Sequence, residues 1–169
     1  EPPHPLVDAY WVRPDRILAG EYPGSDDPED ARLRLRWLLE AGVSTFIDLT
    51  VKGELEPYSQ FLAEEAARFD TVPEYQRRPI RDASASTVES ITEILDTIDG
   101  SVEAGNVVYL HCAAGIGRTG LVVGCYPVRH GASGEEALEA AARMSQRNIR
   151  GGTMLPHETA QQRNRGGAW

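Results

Sequence analysis

Cysteine is scarce in this chain, with Cys112 and Cys125 the only two among 169 residues. Two cysteines cannot build a disulfide framework, and no Cys/His spacing here resembles a zinc site, so each needs its own explanation. Lysine is scarcer still. Lys52 stands alone and the remaining basic charge is arginine, a bias that GC-rich coding explains as well as function does. Positive charge as a whole is short: 17 Lys and Arg against 26 Asp and Glu give a formal net charge of −9. An acidic surface repels nucleic acid and anionic membranes, so neither is expected as a partner, although a small basic pocket can sit in an acidic protein. Long apolar runs are missing, which excludes a membrane-spanning helix. No signal peptide is visible. A cytoplasmic location is therefore expected; the chain opens at Glu1 rather than Met, which leaves secretion open. Repeats and low-complexity segments are absent too.

What remains is ordinary globular composition, 41% apolar and 25% charged, on a length that suits one domain over residues 1–169. Residues 1–10, with three prolines, are expected to form an extended arm. Ile17 to Gly20 reads as a short strand and Tyr22-Pro23-Gly24 as a turn. From Pro28 to Ala41 the period is helical, with Leu33, Trp37, Leu38 and Ala41 on the buried face and Gly42 as the stop. Val43 to Thr50 reads as a buried strand, Leu55 to Phe69 as a helix with Tyr58, Leu62, Ala66 and Phe69 inward, and Tyr75 to Ile80 as a short strand. Ser86 and Glu89 form a capping box for a helix whose stripe is Val88, Ile91, Leu95, Ile98 and Val102. Gly105-Asn106 is a turn, and Val107 to His111 has the β-branched, apolar character of a central parallel strand. Helical sequence resumes at Thr119, where Pro127 predicts a kink or an end near Tyr126. Ser133 and Glu136 open a further helix through Met144, and a last one begins near Pro156. Alternating strands and helices imply an α/β fold, a mainly parallel central sheet flanked by helices.

The chemistry is concentrated in His111-Cys112-Ala113-Ala114-Gly115-Ile116-Gly117-Arg118-Thr119-Gly120. Between a buried strand and a helix, loop N–H groups and the helix N-terminus converge on one point and make an anion site. Gly115 and Gly117 permit the turns that aim those groups inward. Arg118 adds a planar fork matching two phosphate oxygens. Cys112, at the base of this cradle, feels the same positive potential, which favours the thiolate, its reactive form. A lone buried cysteine is usually inert. The joint pattern His-Cys-x-x-Gly-x-x-Arg-Thr arises by chance in a chain this long less than roughly once in ten thousand.

At these residues the chain resembles the cysteine-based protein tyrosine phosphatases, whose signature is His-Cys, five residues, Arg, then Ser or Thr. The likeness is greatest to small bacterial members similar to dual-specificity phosphatases. Weaker echoes are Leu18 to Pro23, Phe46-Ile47-Asp48-Leu49, Pro79-Ile80-Arg81-Asp82 and Pro156-His157-Glu158-Thr159. The resemblance implies a phosphate-binding loop between a central strand and a helix, no metal or other cofactor, and a cysteinyl-phosphate intermediate. In it Cys112 is the nucleophile and Arg118 the phosphate clamp, and residues Ala113, Ala114, Gly115, Ile116 and Gly117 complete the cradle. Thr119 eases departure of the thiolate, and His111 helps hold the cysteine. Asp82, on a separate loop, matches the acid that protonates the leaving oxygen, although the proline that often follows it is replaced here by Ala85 or Ser86. Gln162, beside Gln161, matches a glutamine that positions the hydrolytic water.

The substrate implied is a phosphorylated protein or peptide carrying phosphotyrosine, with phosphoserine and phosphothreonine as further targets. An inositol phosphate or phosphoinositide is the alternative. Arg77, Arg78 and Arg81 could hold a second anion for such a ligand, or form a solvated basic edge; the uncharged Ala113, Ala114 and Ile116 favour the phosphopeptide. A non-catalytic phosphate-binding module and a rhodanese-like sulfur transferase are the competing classes. The first conflicts with an intact Cys112, Arg118 and Thr119, and the second with the Gly-x-Gly-Arg-Thr ending. Tyr58 and Cys125 read as core residues.

Overall fold

The computed structural model describes residues 9–81 and 87–131. Within them the order is β1 (Tyr10–Arg13), β2 (Ile17–Gly20), α1 (Pro28–Glu40), β3 (Thr45–Asp48), α2 (Ser59–Ala67), β4 (Glu74–Arg77), α3 (Val88–Glu103), β5 (Val108–His111) and α4 (Gly117–Arg129). The strands form one sheet in the order β1-β2-β5-β3-β4. Strands β2, β5, β3 and β4 run parallel, and β1 pairs antiparallel with β2 as a hairpin.

Strand alternation divides the core in two. Ile17, Ala19, Ile47, Leu49, Val108 and Leu110 face α3 and α4, where Ile91, Ile94, Leu95, Ile98, Val122 and Val123 cover them. Leu18, Phe46 and Tyr109 point the other way, onto Leu35, Leu38 and Leu39 of α1 and Leu62 and Ala66 of α2. Strands buried on both faces explain why β2, β3 and β5 read as continuous apolar runs.

The elements follow from local chemistry, with several departures from the expected boundaries. β1 was not anticipated; Tyr10 belongs to it rather than to an extended arm. Helix α1 starts at Pro28 behind Asp27, whose side chain accepts from the Glu29 N–H. It ends in a Schellman motif. Gly42, at φ +95, donates to Leu39 and Val43 to Leu38. Its buried stripe is Ala31, Leu35, Leu38 and Leu39, and Leu33, expected inside, is 51% exposed. Helix α2 begins at Ser59 rather than Leu55; Pro57 disfavours helical backbone at the residue before it. The cap of α3 is Thr87, not Ser86. Thr87 accepts from the Ser90 N–H at 3.0 Å, and its own N–H reaches the Ser90 hydroxyl at 3.3 Å, so a serine fills the place expected of Glu89. Val88, expected in the stripe, is exposed, whereas Ile94 and Ser101 are buried. Helix α4 begins at Gly117 and runs to Arg129, past Pro127 rather than stopping near Tyr126. The missing donor falls in the last turn, where its loss removes one bond and the chain can still finish the helix. The expected helices from Ser133 and near Pro156 lie outside the described residues.

Candidate active site

The four parallel strands end in one row: Gly20 pairs with His111, His111 with Asp48, and Asp48 with Arg77. Ligands of open α/β sheets bind beyond the carboxyl ends of the strands, and the loop that follows His111 begins there. Cys112 is 3% exposed and packs into the core on the α3–α4 side, while Ala113 and Ala114 are exposed. Gly115 is buried at φ +79, and a Cβ there would stand 2.5 Å from the Gly20 carbonyl carbon and 2.8 Å from the Glu21 nitrogen. Glycine is required on both counts. The Tyr22 N–H donates to the Ala113 carbonyl at 3.0 Å, fastening the loop to the turn after β2. The N-cap of α4 is Ile116, which makes no side-chain cap. The first N–H groups of that helix are thus left to an anion.

Arg118 is half-buried and firmly held. Its NH1 donates to Glu54 Oε1 at 2.8 Å and to the Ile80 carbonyl at 3.1 Å, and its NH2 donates to Glu54 Oε2 at 2.6 Å. The hydrogen bonds from Arg118 hold the Glu54 carboxyl below its ordinary range, and the same pair raises the guanidinium's basicity. Thr119 is fully buried in the first turn of α4, next to Arg118, and its hydroxyl has no hydrogen-bond partner among the described residues.

Beneath the loop lies a buried polar network. Burial pushes His111 down to about 4, so the ring is neutral at physiological pH. Its Nδ1 faces the Cys112 carbonyl at 3.4 Å, and its Nε2 lies 2.7 Å from the Tyr58 hydroxyl. A carbonyl only accepts, so Nδ1 carries the proton and Nε2 accepts from Tyr58. Burial raises Tyr58 well above its ordinary range and keeps it a donor. Asp48 closes the network. Its Oδ1 accepts from the Thr50 N–H at 2.9 Å and the Thr50 hydroxyl at 2.6 Å, and its Oδ2 accepts from Tyr75. Arg77 NH2 donates to the Tyr75 hydroxyl at 3.1 Å and lies 3.7 Å from Asp48 Oδ2. Burial, then Asp48, pushes Tyr75 up to about 12.

The structure thus brings His111, Cys112, the loop, Arg118 and Thr119 together. Asp82 and Gln162, with Gln161, lie outside the described residues. The three arginines near Asp82 do not act as one cluster: Arg77 turns inward to Tyr75 and Asp48, Arg78 donates to Gln76, and Arg81 is exposed. Tyr58 is a core residue, as expected, with an added bond to His111. Cys125 is half-buried against the α3–α4 core, and burial raises its thiol. Sequence reasoning missed Glu54, Asp48 and Tyr75. The signal for all three is position: Asp48 ends β3, the parallel strand beside β5, Glu54 lies on the loop that follows it, and Tyr75 lies in β4, the next parallel strand.

Residues 22–132 match the family model Tc-R-P, described as "Polymorphic toxin system, DSP-PTPase phosphatase". Mouse protein tyrosine phosphatase domain-containing protein 1 is 29% identical over 130 residues, 72% of this chain and 17% of that protein. An Arabidopsis thaliana protein, phosphatidylinositol 3,4,5-trisphosphate 3-phosphatase and protein-tyrosine-phosphatase PTEN1, is 38% identical over 69 residues, 40% of this chain and 17% of that protein. The chain therefore spans under a fifth of the length of these relatives. The crystal structure of Tk-PTP in the active form superposes with a TM-score of 0.65 at 24% identity, covering 89% of this chain and 97% of that one. That likeness shows a shared phosphatase fold, and with the family match over most of the described residues it places this chain in the dual-specificity-type family of cysteine-based protein tyrosine phosphatases.

Proposed function

We propose that this domain hydrolyses phosphate monoesters of proteins, phosphotyrosine first and phosphoserine or phosphothreonine as well, through a phosphorylated Cys112. The observation that carries the reading is the loop itself. Cys112 sits at its base and uncapped helix N–H groups lie at its end. Arg118 is braced at its rim by Glu54 and Ile80. The Cys112 thiolate attacks phosphorus, the S–P bond forms, and the P–O bond to the leaving group breaks as Asp82 gives that oxygen its proton. Water then attacks the phosphocysteine. The O–P bond forms, the S–P bond breaks, and the Asp82 carboxylate takes the water's proton. Loop N–H groups and Arg118 stabilise the equatorial oxygens throughout. The Thr119 hydroxyl, which has no hydrogen-bond partner among the described residues, donates to the departing thiolate.

Release of phosphate from an aryl phosphate in the presence of a chelator tests the class of reaction. Cys112→Ser should abolish turnover and keep vanadate binding, because the loop and Arg118 hold the anion without the sulfur. Substantial turnover by Cys112→Ser would sink the mechanism. Asp82→Asn should lower kcat strongly for poor leaving groups and little for activated aryl phosphates; a uniform loss would assign Asp82 a structural role. The family's description adds a physiological reading, that of a toxin-system phosphatase. On that reading, expression should slow the growth of a host cell and Cys112→Ser should not.

A further inference from the structure

The N–H groups of Ala113, Ala114, Gly115 and Ile116 find no acceptor among the described residues. They serve an anion only when their peptide planes are turned inward. For one of them the structure shows what does the turning. The Ala113 carbonyl accepts from the Tyr22 N–H at 3.0 Å. No described peptide is cis, and a trans peptide points its C=O and its N–H in opposite directions. The Ala114 N–H, at the other end of that plane, is therefore directed away from the turn after β2 and into the loop.

The Tyr22 N–H is directed in the same way. It shares a peptide plane with the Glu21 carbonyl, and that carbonyl accepts from the Tyr109 hydroxyl. One chain of bonds results. It runs from the Tyr109 hydroxyl, through the Glu21–Tyr22 peptide and then the Ala113–Ala114 peptide, to an N–H that faces the anion site. Each link polarises the next, so the last donor gains from the first. Tyr109 suits the head of such a chain. It is fully buried in β5 and stacked on His111 at 5.5 Å between ring centroids, and burial raises its hydroxyl well above the ordinary range, so the proton stays. Two further contacts keep the turn in place. Arg34 NH1 donates to the Tyr22 carbonyl at 3.1 Å, and Gly115 lies against the Gly20 and Glu21 backbone.

From this geometry we infer that Tyr109 is a positioning residue, whose hydroxyl aims the Ala114 N–H at phosphate through two peptide groups. The inference deepens the phosphatase reading above and rests on it. Tyr109 packs on the α1–α2 side of the sheet and Cys112 on the α3–α4 side, so the tyrosine acts on the bound anion through backbone and not by contact.

The test uses Tyr109→Phe, which removes one oxygen and no charge. Inorganic phosphate binding is measured by calorimetry, and kcat and KM with an aryl phosphate. The amide proton of Ala114 is followed by NMR as phosphate is added. That of Gly120, bonded within α4 to the Ile116 carbonyl at 2.9 Å, is the internal reference. Expected in Tyr109→Phe is phosphate binding weakened about fivefold, the scale of one hydrogen bond, with kcat/KM falling alongside. The phosphate-induced shift of Ala114 should shrink while that of Gly120 stays as in wild type. A variant with a lower Tm but unchanged phosphate affinity overturns the inference, because the hydroxyl is then merely structural. A weaker affinity with the Ala114 shift unchanged also overturns it. A wild-type protein that binds phosphate but turns over no aryl phosphate would end the phosphatase reading instead, while the NMR comparison still decides the role of Tyr109. Should Tyr109→Phe fail to fold, Arg34→Met, which frees the next carbonyl of the same turn, carries the test, and an Ala114 shift unchanged in it overturns the inference.

Discussion

Individual side chains in this site are set by what surrounds them rather than by their own chemistry. Arg118 could swing on a long flexible stem, yet three bonds hold it. Arg118→Lys keeps the charge and loses both the end-on pair with Glu54 and the fork toward phosphate. We expect a fall of about a hundredfold or more in kcat/KM, the scale of removing a donor from a preorganised oxyanion site; steady-state kinetics on an aryl phosphate would show it, and a near-normal value would remove Arg118 from transition-state stabilisation. His111 makes a different prediction. Burial holds its folded value at about 4, below the ordinary imidazole value of 6.5. As the pH falls below 6.5 the unfolded chain takes up a proton that the buried ring refuses, so stability should decline until both states are protonated near pH 4. Thermal unfolding between those limits should show Tm falling with acid, and His111→Asn should flatten that slope relative to wild type.

Elements were more legible than their partners. The order of strands and helices follows from hydrophobic period, and the Gly42 stop and the Gly105 turn are both realised at positive φ. Errors fell where two local choices were nearly equal. Ser86 or Thr87 could cap α3, and the realised choice is the one whose serine at the third position reciprocates. The α1 stripe differs from the expected one because apolar residues surround much of that helix: Leu33 and Leu35 lie on opposite faces, and only tertiary packing decides which of the two is buried. In the site, Cys112, Arg118 and Thr119 were legible because their chemistry is compressed into one segment. Glu54, Asp48 and Tyr75 were not, because each contributes through a partner remote in sequence, and nothing local distinguishes them from solvated loop or strand residues. Gly115 joins the two levels. Adding a methyl group there meets the Gly20 and Glu21 backbone, beside the Tyr22–Ala113 bond that fastens the loop. Gly115→Ala should therefore cost about 2 kcal/mol or more of stability and most of the activity, whereas Gly124→Ala, with open space around it, should cost little. Unfolding midpoints for the pair would check this, and equal midpoints would show that the loop can shift away from β2.

At the scale of the whole molecule, charge bears on substrate choice. A net charge of −9 opposes the approach of a ligand carrying many phosphates. Of the arginines that might offset it, Arg77 is turned inward to Tyr75 and Asp48. We therefore expect phosphotyrosine peptides to exceed highly phosphorylated inositols in kcat/KM. Replacing Arg78 and Arg81 by Ala should change aryl phosphate turnover little. A tenfold preference of the unmodified protein for inositol polyphosphates, about 1.4 kcal/mol in transition-state binding, would reverse the assignment.

The parallel pairing of β2 with β5 has a consequence in time. Residues 17–20 lie beside residues 108–111, and the Gly20–Glu21 turn is the floor on which Gly115 rests. Strands β1 and β2 leave the ribosome before β5 and must wait, with one edge unpaired, until it has been made, because β5 is the strand that separates β2 from β3. Such long-range closure is slow, and it means that no amino-terminal fragment ending before His111 can own a phosphate loop. The phosphate loop should form in a single step, when β5 inserts at the centre of the sheet and brings the residues after His111 to a floor already built by β2 and the turn that follows it.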